Sequence, residues 1–299
     1  MTLDQLRIFV AVAERQHLTQ AADALALTPS AVSASIRALE ERYGTPLFDR
    51  VGRRIEVNAA GRIFLEEARA TLARAAGAER VLAELAGLAR GVLALQASQT
   101  IASYWLPPVL VRFRATHPQI DVRLDVGNTQ SVADAVRAGQ ADLGLVEGGV
   151  DDPALTLETV GQDRMAIVVA PGHPWARRRR LAAADLQDAR WIMREPGSGT
   201  RAALEDMLAG QGADLAALRI ELTLPSNEAV RAAVMSGEHV AGLSELVAAP
   251  YIAAGLLAKV PVDLPPRDFF LLRHRERYRS RAAQAFEEVA RAAVRLTRA

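Results

Sequence analysis

The sequence contains no cysteine, and this absence excludes disulfide bonds, thiolate metal sites and catalysis by a thiol nucleophile. Its histidines are scattered and lack the spacing of metal ligands. They are His17, His117, His173, His239 and His274. No apolar run approaches the roughly 20 residues that a membrane-spanning helix needs. No basic-then-apolar signal precedes the first helical pattern, so we expect a soluble cytoplasmic protein with no membrane partner, no metal and no other cofactor.

An excess of charge of one sign is also lacking. The 299 residues contain 36 Lys and Arg against 35 Asp and Glu, and the first 58 residues contain as many acids as arginines. Bulk charge therefore does not indicate a nucleic-acid partner, and any DNA affinity must depend on where the arginines point. Half of the residues are hydrophobic, and a chain of this length suits two domains, one small and one bilobed.

The first 58 residues combine three short helical patterns with a pair of short strands. Apolar spacings of three and four predict a first helix from about Leu3, and a second helix covers about 18–25. After the third helix, residues 49–54 form a turn that leads into the alternating strand 55–57. We interpret this last segment as a β-wing with a basic tip.

The third helix has clear signals at both ends. Thr28 is a good N-cap, and Pro29 follows at the first helical position, where its missing N–H is not needed. The helix should run to about Tyr43 and end at Gly44 in a left-handed C-cap.

One proline-free helical stretch, residues 59–89, follows this region. Leu65, Leu72 and Leu82 share an apolar stripe with small alanines, as in a short coiled-coil seam. A long helix with such a stripe needs a partner, so we expect a homodimer.

From residue 90 onward, β-rich runs alternate with helical ones, which predicts an α/β domain with largely parallel strands. A final helix should cover about 280–297. The predicted strands are 91–97, 120–126, 142–146, 164–170, 190–193, 219–224, 239–243 and 267–272.

A long, ordered series of residues in the first 61 positions resembles the LysR-type transcriptional regulators. Residues 118 and 141–145 also fall where that family places them, so the resemblance spans the whole chain. The series comprises Leu18-Thr19-Gln20-Ala21-Ala22, Thr28-Pro29-Ser30-Ala31-Val32-Ser33, Ile36-Arg37-Ala38-Leu39-Glu40, Gly44, Pro46-Leu47-Phe48-Asp49-Arg50 and Asn58-Ala59-Ala60-Gly61. Two positions depart from it: His17 stands where the family has Ser or Asn as a helix cap, and Ala34 stands where many members have a basic residue.

The resemblance implies an α+β protein in three parts. Residues 1–58 would form a winged helix-turn-helix that binds double-stranded DNA, and residues 59–89 a dimerising linker helix. Residues 90–299 would form a bilobed α/β sensor with Rossmann-like lobes, similar to type 2 periplasmic binding proteins. Lobe I would comprise about 90–162 and 267–299, and lobe II about 163–266. Family members assemble as tetramers, and RNA polymerase is a candidate further partner.

In such a head, the third helix would enter the major groove, and the wing arginines would contact the backbone or the minor groove. The competing interpretation is that the hydroxyl groups cap a helix and the wing is a solvated turn. The predicted DNA-binding residues are Thr28, Pro29, Ser30, Ser33, Arg37, Arg50, Arg53 and Arg54.

In the sensor, four polar loops follow strands and begin helices, where backbone N–H groups favour polar or anionic groups. These loops are residues 98–100, 128–130, 196–201 and 226–227. We predict that these loops bind a small polar metabolite, and the N–H groups favour an anionic one. An acid such as Glu147 favours the opposite, an amine or hydroxyl group on the ligand. The competing interpretation is ordinary helix capping. The predicted effector-binding residues are Ser98, Gln99, Thr100, Thr129, Glu147, Ser198, Gly199, Thr200, Arg201, Asn227 and Ser244.

Two other functions compete with that of a transcriptional regulator. An enzyme would need a nucleophile elbow, a paired His and carboxylate, or a metal set, and the sequence contains none of these, so we expect no catalytic residues. A periplasmic solute-binding protein would need a signal peptide and has no use for a helix-turn-helix.

The run Arg177–Arg180 could form a second DNA patch, although the sequence alone favours a solvated loop there.

Overall fold

The computed structural model describes residues 1–51, 54–85, 91–262 and 264–297. These residues form two compact units, the first up to residue 85 and the second from residue 91. The first unit consists of α1 (Leu3–Arg15), α2 (Leu18–Ala24), α3 (Pro29–Tyr43), β1 (Phe48–Val51), β2 (Arg54–Val57) and α4 (Ala59–Leu85). β1 and β2 pair antiparallel, which confirms the predicted hairpin after the three helices.

The predicted coiled-coil seam on α4 needs a correction. Leu65 and Leu72 pack against the core of their own unit, which contains the fully buried Phe9 and Val12. The physical reason is that α1 lies along α4 and covers this face. Leu82, by contrast, is 68 % exposed, so only part of the predicted stripe is free to meet a second copy.

The second unit contains strands and helices in alternation, as expected. The strands are β3 (Val92–Ser98), β4 (Asp121–Gly127), β5 (Leu143–Glu147), β6 (Leu155–Val169), β7 (Trp191–Arg194), β8 (Ile220–Leu224), β9 (Val240–Ser244), β10 (Ala258–Lys259) and β11 (Pro266–His274). The helices are α5 (Leu106–Thr116), α6 (Thr129–Ala138), α7 (Ala183–Asp188), α8 (Gly199–Gly210), α9 (Asn227–Met235), α10 (Glu245–Ala253) and α11 (Arg281–Thr297).

The strands follow the order β4-β3-β5-β11-β6-β9-β7-β8, with β10 beside β6. We call lobe I the part built on β3, β4 and β5, and lobe II the part built on β7, β8 and β9. Strands β6 and β11 join the two lobes. β6 pairs with β11 up to Arg164 and with β9 from Met165 onward.

Two strand predictions were incomplete. Pairing is parallel among β3, β4 and β5 and among β7, β8 and β9, but β11 runs antiparallel to β5 and β6. β6 takes the chain from lobe I to lobe II and β11 brings it back, so β11 runs opposite to β6 and to its other neighbour, β5. β6 also begins at Leu155, whereas the sequence predicted a start near residue 164. The first half of the strand was missed because several of its residues are polar and exposed, which weakens the strand pattern.

Hydrophobic side chains cover both faces of the sheet in each lobe, as in other α/β domains. In lobe I, one cluster contains Phe113 and Phe286 and the other contains Val132. In lobe II, the clusters contain Trp191 and Val230 respectively. Burial of both faces leaves the strand ends between the lobes as the place where polar side chains meet.

Candidate functional site

The exposed face of α3 is the first candidate site. The Thr28 hydroxyl caps the helix by accepting a hydrogen bond from the Ala31 amide at 3.2 Å, and it lies 3.0 Å from the Ser30 hydroxyl. Pro29 occupies the first position and Gly44 the left-handed C-cap, with φ of 62°. The predicted helix limits are therefore confirmed, and part of the capping interpretation is correct, since Thr28 does cap the helix.

The helical spacing places Ser30, Ser33 and Arg37 on one side of α3. Ser30 and Arg37 are exposed and Ser33 is half-buried, while Val32 and Ile36 face the core. Arg37 has no ion pair or hydrogen bond within the described part of the chain. The face thus offers hydroxyl groups and one free guanidinium, the groups that contact phosphates and guanine edges.

The helix before α3 is held in place by an unusual cap. The Nδ1 atom of His17 accepts a hydrogen bond from the Gln20 amide at 3.3 Å, so this histidine does the work of the Ser or Asn expected there. Ala21 and Ala22 are fully buried and allow α2 to pack closely on α3.

Of the predicted wing residues, Arg50 lies in β1 and Arg54 in β2. Arg53 lies outside the described residues.

The second candidate site lies where the lobes meet, and the structure brings the four predicted loops together there. The Asn227 amide nitrogen Nδ2 donates to the Thr100 hydroxyl at 3.0 Å, and the Asn227 backbone N–H donates to Oε1 of Gln99 at 2.7 Å. The Gln130 N–H donates to the Gly197 carbonyl at 3.1 Å. Each of these bonds joins lobe I to lobe II.

The lobes approach each other closely at Gly199. A Cβ atom at this position would lie 2.4 Å from the Glu147 carbonyl oxygen and 2.6 Å from the Thr129 hydroxyl. Only glycine fits here without moving one lobe, which explains the glycine that begins α8.

Three buried charged residues at the junction were missed by sequence reasoning. Arg267 donates to Asp163 through Nε at 3.0 Å and Nη2 at 2.7 Å, and through Nη1 to the Thr200 hydroxyl at 3.2 Å. Ser244 donates to the other Asp163 oxygen at 3.0 Å. Arg194 donates to Oδ1 of Asn227 at 2.7 Å. Asp163 and Arg267 lie within strands, where no motif marks them; Arg194 ends a strand, as Glu147 and Ser244 do, and that position could have indicated it.

Burial and pairing act against each other on the acids of this junction. Burial raises the pKa of the Asp163 carboxyl, and the charge and hydrogen bonds of Arg267 only partly offset this effect. Burial would also raise the pKa of Glu195, but hydrogen bonds from Arg194 at 2.8 and 2.9 Å, with one from Asn128, hold it below the usual range.

The predicted effector residues fall into two groups. One group lines an open cleft of about 860 Å³ between the lobes and comprises Thr129, Glu147, Ser198, Gly199 and Arg201. The other lies at the closed contact between the lobes or at the crossover strands and comprises Ser98, Gln99, Thr100, Thr200, Asn227 and Ser244. Arg201 is held by Glu205 at 2.7 Å and by the Arg194 carbonyl.

Two polar groups near this junction lack hydrogen bonds within the described part of the chain. The Ser98 hydroxyl is buried and has no partner there. The Glu147 side chain is 3 % exposed, and its carboxylate accepts no hydrogen bond from a described residue; Nη2 of Arg267 lies 4.0 Å away. Buried polar groups are rarely left this way without a reason.

Other kinds of site find no support in the described ranges. No group of three or more histidines and acids there could hold a metal ion. No helix in those ranges is both long and apolar enough to span a bilayer.

Comparison with known proteins gives a consistent result along the whole chain. Residues 3–62 match the model of the bacterial regulatory helix-turn-helix proteins of the lysR family. Residues 86–295 match the model of the LysR substrate binding domain.

Individual relatives agree with these matches. The chain is 36 % identical over 288 residues to an uncharacterized HTH-type transcriptional regulator, YeiE, of Escherichia coli strain K12, and the match covers 96 % of both chains. The fold of this chain is similar to that of CbnR, a LysR family transcriptional regulator, with a TM-score of 0.72 at 21 % identity. The match covers 98 % of this chain and 99 % of CbnR. The regulatory domain of Synechocystis PCC6803 CcmR in complex with 2-PG matches 68 % of this chain and 97 % of that one, at 26 % identity and a TM-score of 0.62.

Proposed function

Because this chain is a DNA-binding transcriptional regulator of the LysR family with an effector-binding domain, we propose that a small polar metabolite controls it by binding between lobe I and lobe II. The observation that carries this proposal is the buried Ser98 hydroxyl, which has no hydrogen-bond partner among the described residues. Ser98 lies at the closed contact and not in the cleft wall, so a ligand that extends from the cleft into this contact would give the group the hydrogen bond that it lacks. The similar CcmR regulatory domain, which was solved in complex with 2-PG, supports a small-molecule ligand.

The chemistry of the cleft supports an anionic group on the ligand. The backbone N–H groups of Gly199 and Thr200 begin α8 and have no acceptor among the described residues, and helix N-termini favour negative charge. The Glu147 carboxylate accepts hydrogen bonds, so it favours a hydroxyl or amine donor elsewhere on the same ligand. We therefore propose an anion that also carries a donor, with the two groups of predicted effector residues around it.

The same proposal assigns DNA reading to α3. Ser30, Ser33 and Arg37 would contact base edges and phosphates in the major groove, and the wing arginines would contact the backbone. The supporting observation is that Arg37 is exposed and has no partner among the described residues, on a helix whose other face is buried. The division into residues 1–58, 59–89 and 90–299, with the lobe limits given above, belongs to this proposal, as does action in the cytoplasm, where bacterial DNA lies.

We also infer a homodimer, and a homotetramer built from dimers. The support is an apolar groove of about 440 Å³ in the first unit, to which α3 and α4 contribute. Ile63 on α4 is 74 % exposed beside this groove. A second copy would remove this surface from water. RNA polymerase stays a prediction from the resemblance.

A thermal-shift screen of polar metabolites on the full chain tests the proposal. A ligand at 100 times its Kd should raise the free energy of unfolding by about 2.7 kcal/mol. Hydrogen exchange then locates it, because the proposal requires slower exchange of the Gly199 and Thr200 amides with ligand bound. A stabilising ligand that leaves these amides unchanged would place the binding site elsewhere.

A further inference from the structure

A turn on lobe II carries four consecutive arginines, Arg177–Arg180, and all four are exposed. The chain has no acid between Asp163 and Asp185, so no neighbour in sequence offsets this charge. Sequence alone favours a solvated loop here. The structure adds two facts, the anchoring of the turn and the pairing of its arginines.

The turn is anchored to the core of lobe II. Residues Pro174–Arg177 form a short 3-10 helix whose Trp175 N–H donates to Nδ1 of His173 at 3.1 Å. The Trp175 side chain is 7 % exposed and packs in the cluster that contains Trp191. The Arg178 N–H donates to the Trp175 carbonyl at 3.2 Å. The backbone that presents the arginines therefore has a defined conformation, and less entropy is lost when a partner binds.

Only one of the four guanidinium groups is neutralised within the described part of the chain. Arg178 lies 2.6 Å from the Asp185 carboxylate, whereas Arg177, Arg179 and Arg180 have no ion pair or hydrogen bond there. Arg190, elsewhere in lobe II, instead binds both oxygens of Glu221 at 2.6 and 2.8 Å. The turn thus carries three uncompensated positive charges.

We propose that this turn binds the phosphate backbone of duplex DNA. Guanidinium groups bind phosphate in a bidentate manner, and neutralised phosphates provide the main salt-dependent part of DNA affinity. The first 58 residues supply no net positive charge for this purpose, because their seven arginines are balanced by seven acids.

An acidic protein surface is a weaker match for the same charges. The centre of a protein–protein interface is poor in charged residues and rich in large apolar ones. Among the described residues of this turn, no large apolar side chain is exposed. The turn is basic throughout, as a surface for a phosphate backbone should be.

The test compares the full chain with the triple variant Arg177→Ala/Arg179→Ala/Arg180→Ala on a random-sequence duplex over a range of salt concentrations. If each arginine neutralises one phosphate, the slope of log K against log salt should become shallower by about 0.9 per arginine, or roughly 2.7 in total. The variant Arg123→Ala/Arg164→Ala/Arg219→Ala removes the same charge from exposed positions outside the turn and should leave the slope unchanged.

A third variant, Arg177→Lys/Arg179→Lys/Arg180→Lys, keeps the charge and should keep the parent slope. Circular dichroism confirms that each variant is folded before titration. An unchanged slope in the alanine variant overturns the proposal, as does an equal change in the control variant, because the effect would then be one of net charge.

Discussion

The Nη2 atom of Arg267 lies 2.7 Å from Oδ2 of Asp163, and the two side chains are only 6 % and 1 % exposed. This pair joins β11 to β6, the two strands that connect the lobes. Through Thr200 and Ser244 it also reaches the first turn of α8 and the end of β9. Because this pair is buried where β6 and β11 pass between the lobes, it fixes the positions of α8 and β9 relative to these two strands.

Removing one member of the pair should be costly. We expect Arg267→Met to lower the free energy of unfolding by about 3–5 kcal/mol, because Asp163 would remain buried without a countercharge. Urea denaturation of the full chain measures this loss. Arg219→Met is the matched control: Arg219 is 64 % exposed and pairs with Glu221 at the surface, so its loss should stay within about 1 kcal/mol. Equal losses would mean that the buried pair has no special role.

The same variant should show a defined pH dependence. Burial raises the pKa of Asp163 in the folded protein, so the folded state binds this proton more readily than the unfolded state. Stability from this group therefore increases as pH falls through the raised folded pKa toward the ordinary value of about 3.9. Without Arg267 the shift should be larger, so the deficit of Arg267→Met should shrink as pH falls. A deficit that is constant with pH would contradict this explanation.

Gly199→Ala should separate the lobes. Its Cβ would lie 2.4 Å from the Glu147 carbonyl, and backbone atoms cannot move away cheaply. We expect a loss of about 1–3 kcal/mol in the free energy of unfolding, typical of overpacking, and a larger radius of gyration by small-angle scattering. Gly149→Ala, in the same cleft, meets nothing within 4 Å and should change neither quantity. An unchanged radius in Gly199→Ala would show that the contact yields locally.

Ser98→Ala and Thr100→Val should separate ligand binding from lobe contact. The Ser98 hydroxyl has no partner among the described residues, so its removal should not lower the ligand-free free energy of unfolding and should reduce the ligand-induced thermal shift. Thr100→Val leaves the Asn227 amide without its acceptor and should cost about 1–3 kcal/mol even without ligand. A full ligand response in Ser98→Ala would remove this hydroxyl from the site.

Arg37→Ala should weaken specific DNA binding more than non-specific binding, because contacts to base edges carry the sequence information. Gel-shift titrations on cognate and random duplexes measure both affinities. Arg42→Ala is the control: Arg42 lies in the last turn of α3, over the Tyr43 ring, and its loss should affect both duplexes alike. Equal losses for Arg37→Ala would refute its assignment to a base contact.

Local rules explain why the first unit could be predicted closely. Thr28, Pro29 and Gly44 set the limits of α3 through capping chemistry that is independent of the rest of the chain. The role of Leu65 and Leu72 could not be predicted in the same way. An apolar stripe states that a partner exists, but it does not tell whether that partner is α1 of the same chain or a second copy.

The second unit shows the corresponding limit for sites. The polar loops after β3, β4, β7 and β8 could be expected to converge, because the carboxyl ends of parallel strands lie at one edge. The ion pair between Asp163 and Arg267 could not, since its members are 104 residues apart and neither lies at the carboxyl end of a strand. Their pairing depends on the antiparallel crossover of β6 and β11, which the expected parallel sheet does not contain.

Footprint titration of the full chain on a selected operator, with and without a metabolite from the thermal-shift screen, tests the central claim most directly. Ligand bound between the lobes should change the affinity for the operator or the length of DNA protected, because it favours one arrangement of the lobes. The change should be reduced in Ser98→Ala, whose footprint without ligand should match that of the parent. A ligand that binds the cleft and leaves both affinity and footprint unchanged would contradict the claim.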